Sequence, residues 1–313
     1  MNIGIDISGG DHAPQSQIKG AILAKAKFGN NITLNLIGNE TEIVELLSKE
    51  NQSPSNFKII NAPDIIEMGE HPAKAFLKKP NSSIAMGFKL LKENQLDAFS
   101  SCGNTGAMLV GSVQILKAIP GVIRPCITSV MPKLNGGLGL ILDVGTNADC
   151  KPDVLYQFGL LGSLFAQNVY GIQHPKVGLM NIGEEPEKGN LIAQAAHALM
   201  QDNNEYNFIG NVEGRDILDD VADVIVCDGF TGNVILKEAE AFYTAIRKRG
   251  IKDEFFDRFN YEIYGGTPIL GINSTVMIGH GMSSPLAVCN MLLLSAEIAK
   301  SNLSQKIKNA FNP

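Results

Sequence analysis

The residues best suited to chemistry in this 313-residue chain sit in glycine-rich turns that follow short apolar runs. One turn reads Ser101-Cys-Gly-Asn-Thr-Gly-Ala107, placing Gly103, Asn104, Thr105 and Gly106 where a helix should begin. Another reads Asp228-Gly-Phe-Thr-Gly-Asn233, with Gly229, Thr231 and Gly232 inside it, and a third holds Gly9, Gly10 and Asp11. Lys151 and Lys188 stand in two further turns, over 143–152 and 181–190. Glycine lets main chain approach a ligand closely, and a helix start presents unpaired N–H groups with partial positive charge. Several such turns meeting at one edge make an anion site, to which a lysine adds a compact charge for a phosphate or a developing oxyanion. The chemistry expected is that of an enzyme handling phosphate or a phosphorylated compound.

Each turn also has an ordinary reading. Asn104 or Thr105 can cap a helix, Asp149 or Asp153 can cap the helix that follows 143–152, and 181–190 can be a solvated, charged turn. Other chemistries fit less well. The order Glu187-Lys-Gly-Asn190 lacks the Gly-Lys-Ser/Thr of a P-loop, and Gly136-Gly-Leu-Gly139 leads into a strand, unlike a dinucleotide fingerprint. No nucleophile elbow is present, and Cys102 has no identified base. His12, His71, His174, His197 and His280 show no metal-ligand spacing, and the five cysteines form no CxxC pair. Neither a metal nor a cofactor is expected.

The elements that must position these turns repeat one plan of apolar strand, polar turn and helix. Its clearest copy is Val221-Ala-Asp-Val-Ile-Val-Cys-Asp228 running into the helix-like stretch from 234, and it recurs over 96–107, 138–157, 177–196 and 3–24. Alternating strands and helices predict an α/β protein with a mostly parallel, doubly wound sheet, whose turns emerge at the carboxyl ends of the strands. Apolar spacing predicts helices over 17–27, 41–49, 82–93, 153–165 and 285–300. Asn135-Gly136-Gly137 between two apolar runs predicts a hairpin and hence an antiparallel element. No linker divides the chain, so one α/β unit over 1–313 is expected.

Composition narrows the class further. Hydrophobic content of 44% with 19% charged residues suits a globular protein, and a net charge of −6 argues against nucleic acid as a partner. The chain opens on strand-like Asn2-Ile-Gly-Ile-Asp6 and holds no run of about 18 apolar residues, so the cytoplasm is the expected location.

These motifs together resemble the bacterial phosphate acyltransferases. The match is carried by Ile5-Asp-Ile-Ser-Gly-Gly-Asp-His-Ala-Pro14, Cys102-Gly-Asn-Thr-Gly-Ala107, Asp149-Cys-Lys-Pro152 and Asn181-Ile-Gly-Glu-Glu185 with Lys188-Gly-Asn190. It continues through Gly210-Asn-Val-Glu-Gly-Arg-Asp216, Asp228-Gly-Phe-Thr-Gly-Asn-Val234, Tyr264-Gly-Gly266 and Gly279-His-Gly281, in family order along nearly the whole chain. The resemblance implies a three-layer α/β/α fold similar to phosphotransacetylases and the isocitrate-dehydrogenase-like group, and a homodimer. It implies synthesis of acyl-phosphate from acyl-acyl carrier protein and inorganic phosphate, handed to a membrane glycerol-3-phosphate acyltransferase for phospholipid synthesis. It assigns active-site roles to Lys188 and Asn233, supported by Asn104 and Asp228. The family's long helical hairpin is shortened here to about 241–262, where Phe255, Phe256, Phe259 and Tyr261 stand among Arg247, Lys248, Arg249, Lys252 and Arg258. That mixture suits either a peripheral contact at the inner membrane face or a dimer contact or lid. The alternatives are a phosphotransacetylase using acyl-coenzyme A and a silent phosphate- or acyl-binding scaffold.

Overall fold

The computed structural model describes residues 1–312. Its strands are β1 (Asn2–Asp6), β2 (Thr33–Gly38), β3 (Lys58–Asn61), β4 (Ala98–Ser101), β5 (Cys126–Pro132), β6 (Leu138–Leu142), β7 (Lys176–Met180), β8 (Asn207–Val212), β9 (Val224–Val226), β10 (Thr267–Leu270) and β11 (Thr275–Ile278). The helices are α1 (Gln15–Phe28), α2 (Glu40–Lys49), α3 (Pro72–Lys78), α4 (Ser83–Lys92), α5 (Thr105–Gly111), α6 (Pro152–Val169), α7 (Leu191–Gln201), α8 (Gly229–Lys248), α9 (Glu254–Asp257), α10 (Tyr261–Tyr264), α11 (Pro285–Ser301) and α12 (Leu303–Phe311). The chain forms two compact units, the first from Met1–Ala118 with Tyr261–Ser304, the second from Ile119–Asn260 with the residues from Gln305 on.

In the first unit the strand order is β3-β2-β1-β4-β11-β10. The first five strands run parallel, in registers such as Ile5 opposite both Leu36 and Ser100, and β10 joins β11 antiparallel. Ile3, Ile5, Leu34 and Leu36 are wholly buried, as near-continuous apolar strands covered on both faces should be. Helix α11, carrying buried Val288, Met291 and Leu292, packs against α1.

The second unit orders its strands β5-β6-β9-β7-β8. Here β6, β9, β7 and β8 are parallel, with Leu142 opposite Val226 and Leu179 opposite Val226 from the other side. The Asn135-Gly136-Gly137 turn forms the expected hairpin, pairing β5 antiparallel to β6. Helix α6 buries Val154, Leu155, Phe158, Leu161 and Phe165 at helical spacing. Neither Asp149 nor Asp153 caps it, contrary to the ordinary reading of that turn. Lys151 occupies the cap without a side-chain bond, and Pro152 starts the helix where its missing N–H costs nothing. Asp153 accepts a bond from the neighbouring Val154 N–H at 3.0 Å.

Candidate functional site

In the second unit, neighbouring parallel strands β6, β9 and β7 release their turns at one edge. Those turns carry Lys151, the 228–233 segment and Lys188 respectively. Asp143, just past β6, is fully buried and organises the first turn. Its Oδ1 accepts from Ile127 N–H at 3.0 Å, and its Oδ2 accepts from Thr146 N–H (3.1 Å), Asn147 N–H (2.6 Å) and Asn147 Nδ2 (3.0 Å). Burial pushes its carboxyl pKa upward from the ordinary value, against the downward pull of those donors. Asn147 then hands the order on: its carbonyl accepts from Gly229 N–H at 2.7 Å, at the start of α8.

Asp228 caps α8, accepting from Thr231 N–H at 2.7 Å. The Phe230 N–H of the same first turn has no acceptor among the described residues. Asn233 is exposed and donates from Nδ2 to Val144 O at 3.3 Å, which leaves its second amide hydrogen for a ligand. Gly145 lies against it at φ +130°, a conformation open to glycine, and an added Cβ would come 3.1 Å from Asn233 Nδ2.

Lys188 belongs to a loop fastened through its own carbonyls. Asn181 Nδ2 donates to Lys188 O (3.2 Å), Asn211 Nδ2 to Glu185 O (2.8 Å), and Gln194 Nε2 to Glu187 O (2.7 Å) and Gly189 O (3.2 Å). The ammonium groups of Lys188 and Lys151 are exposed and form no ion pair among the described residues. Glu184 in the same loop is instead paired with Arg215 at 3.3 Å. Two free cations, an amide donor and an unpaired helix-start N–H on adjoining turns can bind an anion and polarise a carbonyl.

The first unit repeats the device. Asp6, at the end of β1, is fully buried and accepts from Ser101 Oγ (2.6 Å) and Ser8 N–H (2.9 Å), with Ser83 and the Gly9 backbone as further partners. Burial again drives its carboxyl pKa up. Gly9 and Gly103 meet main chain to main chain, since a Cβ on Gly9 would fall 2.7 Å from Gly103 Cα. Asp11 N–H donates to Gly281 O at 2.8 Å, and Gln17 Nε2 to Gly9 O at 2.6 Å. Asn104 caps α5 through Ala107 N–H (3.0 Å), while its Nδ2 faces the carbonyls of Glu67 (3.0 Å), Met68 (3.2 Å) and Glu70 (3.0 Å). The chain itself thus occupies the Asn104 amide. Thr105 and Gly106 N–H remain without acceptors among the described residues.

Gly9, Gly10, Asp11 and 103–106 therefore gather in the first unit, and Lys151, Lys188 and 228–233 in the second. Sequence reasoning missed Asp6, Asp143 and Asn147. The available signal was a carboxylate closing an apolar strand just before a glycine turn, in Ile3-Gly-Ile-Asp6 and Leu140-Ile-Leu-Asp143 alike. Burial pushes the Cys102 thiol up to about 12, with the Asp6 charge adding to the rise, so that thiol is no nucleophile near neutral pH.

Glycine turns at the carboxyl edges of mostly parallel sheets define an α/β fold of the kind found in phosphotransacetylases. Phosphotransacetylases from Staphylococcus aureus (TM-score 0.66, 18% identity, 96% of this chain and 94% of that one) and Streptococcus pyogenes (0.67, 17%, 96% and 94%) share the fold. The fatty acid synthesis protein family matches residues 1–306. Among curated relatives, the phosphate acyltransferase of Dictyoglomus thermophilum is 40% identical over 326 residues, covering 98% of this chain and 96% of its own. That of Desulfitobacterium hafniense is 42% identical over 328 residues, with 98% and 97% covered. The chain belongs to the phosphate acyltransferase family and is an acyltransferase.

Proposed function

We propose that this protein makes acyl-phosphate from long-chain acyl-acyl carrier protein and inorganic phosphate, for phospholipid synthesis. The observation that carries the reading is that β6, β9 and β7 are neighbouring parallel strands, and the turns that follow them hold Lys151, Asn233 and Lys188 respectively. Phosphate already has a nucleophilic oxygen, so the buried thiols have no covalent role to fill. A phosphate oxygen attacks the thioester carbon, the C=O electrons move onto oxygen, and collapse of the tetrahedral intermediate breaks the C–S bond. The products are acyl-phosphate and the carrier thiolate, which takes a proton from solution.

Lys188 and Asn233 donate to the developing oxyanion in this reading, and both are catalytic residues. Lys151 and the 228–232 turn, including Asp228, Gly229, Thr231 and Gly232, orient phosphate. In the first unit Gly9, Gly10, Asp11 and Gly103 shape the phosphate-binding turns, whose remaining donors are the N–H groups of Thr105 and Gly106, and Asn104 positions the second turn. The whole of 1–313 acts as one catalytic unit, as a cytoplasmic homodimer, and passes its product to a membrane glycerol-3-phosphate acyltransferase. The sequence resemblance supports these last features.

The test is incubation with palmitoyl-acyl carrier protein, with and without inorganic phosphate, measuring carrier thiol and acyl-phosphate together. Phosphate-dependent release of both in equal amounts is expected. Turnover of palmitoyl-coenzyme A with none of the carrier thioester overturns the substrate assignment, and turnover of neither leaves a binding scaffold.

A further inference from the structure

Helix α8 continues well beyond its first turn, yet of its described residues only Gly229 and Gly232 are buried. The apolar face it carries past the turn, with Ile235, Ala239, Phe242 and Ile246, lines a cavity of about 660 Å³ within the second unit. That volume is in the range of sites for small organic ligands. Met131 of β5 and Ile217 of the 214–218 turn form the facing wall, and Phe256 and Phe259 form a third side. Arg258 holds that third side by donating to Lys133 O (3.0 Å) and Gly137 O (2.5 Å), and Arg247 pairs with Asp257 at 2.9 Å.

The slot has a direction. At one end, Thr231 lies four residues before Ile235 and so shares its helix face, in the turn proposed to hold phosphate. At the other, Met131 pairs with Gly139 near the start of β6, the edge opposite Asp143. From Val234 to Ile246 the helix rises about 18 Å. Glu238 is the one charged residue on the wall, and its side chain is exposed.

We infer that this slot holds the acyl chain of the substrate, its carbonyl end at the first turn of α8 and its methyl end toward Ile246 and Phe256. The inference rests on the proposed function and adds the binding site for the long chain. An acetyl group would leave nearly all of the slot unfilled, whereas a long unbranched chain matches its length and its lining. The slot is open to solvent on one side, where Phe242 is 62% and Val234 51% exposed, so a second copy is the competing occupant that particle mass tells apart.

Two measurements test it. Ala239→Trp, which fills the middle of the slot, is expected to lower the ratio of palmitoyl to butyryl carrier-thioester turnover at least tenfold. In the unaltered protein, a palmitoyl-acyl carrier protein bearing a diazirine at the terminal carbon is expected to label peptides holding Phe242, Ile246 or Phe256 on irradiation. A ratio within twofold of the parent in a folded variant overturns the inference. So does a doubled or halved particle mass with equal loss on both substrates, or label placed outside those peptides. Label in the slot of a protein that turns over neither thioester would sustain the acyl site and refute the proposed reaction.

Discussion

Lys188 and Asp143 illustrate opposite ways in which a charged side chain enters this edge of the second unit. Lys188 is exposed, and its ammonium has no ionic partner among the described residues, so folding gains little from its charge. Lys188→Ala should therefore change stability by no more than about 0.5 kcal/mol. Turnover should nevertheless fall roughly 100- to 1,000-fold, the usual effect of losing one oxyanion donor. Parallel thermal melts and steady-state rates check both halves, and near-parental turnover would remove Lys188 from the mechanism. Asp143 carries the opposite cost, because burial raises its pKa despite four donors. A carboxyl with a raised folded pKa contributes stability fully below its unfolded pKa of about 3.9 and loses it as pH climbs through the folded value. The stability advantage of the parent over Asp143→Asn should thus shrink as pH rises from about 4. Urea titrations across that range measure it. An advantage that grows with pH would mean that the hydrogen bonds outweigh burial.

Among the elements, the junction of β6 with α8 is the least forgiving. A Cβ at Gly232 would overlap the Asp143 carbonyl and lie 2.9 Å from Cys227 Sγ. Main chain at the end of a central strand does not yield easily, so Gly232→Ala should cost at least about 1–3 kcal/mol. The shift would also move Asn233, and turnover should fall together with melting temperature; an unchanged melt would show that the helix start slides freely. Much of this level was legible in the sequence. The strand-turn-helix copies and the 127–142 hairpin carry local signals that tertiary packing does not override, including apolar runs, glycine turns and caps such as Asp228. The β10–β11 pair was not legible, because each strand has only four residues, too few for an apolar pattern to mark a strand. Lys133 was equally hidden. It is only 2% exposed, bonded to Asp220 at 2.8 Å and Asp223 at 2.6 Å, partners nearly ninety residues away in sequence. Nothing local marks such a lysine as buried. Of the basic residues once grouped with aromatics, Arg258 and Arg247 are engaged within the chain, whereas Lys248, Arg249 and Lys252 remain exposed.

For the whole molecule, the chain returns to complete its second unit only with its last residues. Ile307 of α12 is 2% exposed, Lys306 donates to Asn168 Oδ1 at 2.6 Å, and Asn312 donates to Pro120 O at 2.8 Å. Removing 303–313 should cost at least about 2 kcal/mol from the lost burial of Ile307 alone. A lower urea midpoint is expected, and an unchanged one would make α12 an appendage. No described helix is long and apolar enough to cross a membrane. With Lys248, Arg249 and Lys252 exposed, any vesicle binding should require anionic lipid and fade with salt. Co-sedimentation with neutral and anionic vesicles would decide whether such a contact exists.

The loop that presents Lys188 is tied down by three amide side chains gripping main-chain oxygens, not by contacts among its own side chains. Main-chain oxygens are the same whatever residue bears them. Asn181, Gln194 and Asn211 should consequently resist replacement, while positions 184, 186 and 187 can be randomised with the lysine still held in place. A combinatorial library confined to those three sites should keep both melting temperature and turnover near the parental values, whereas Asn181→Ala or Asn211→Ala should lower turnover.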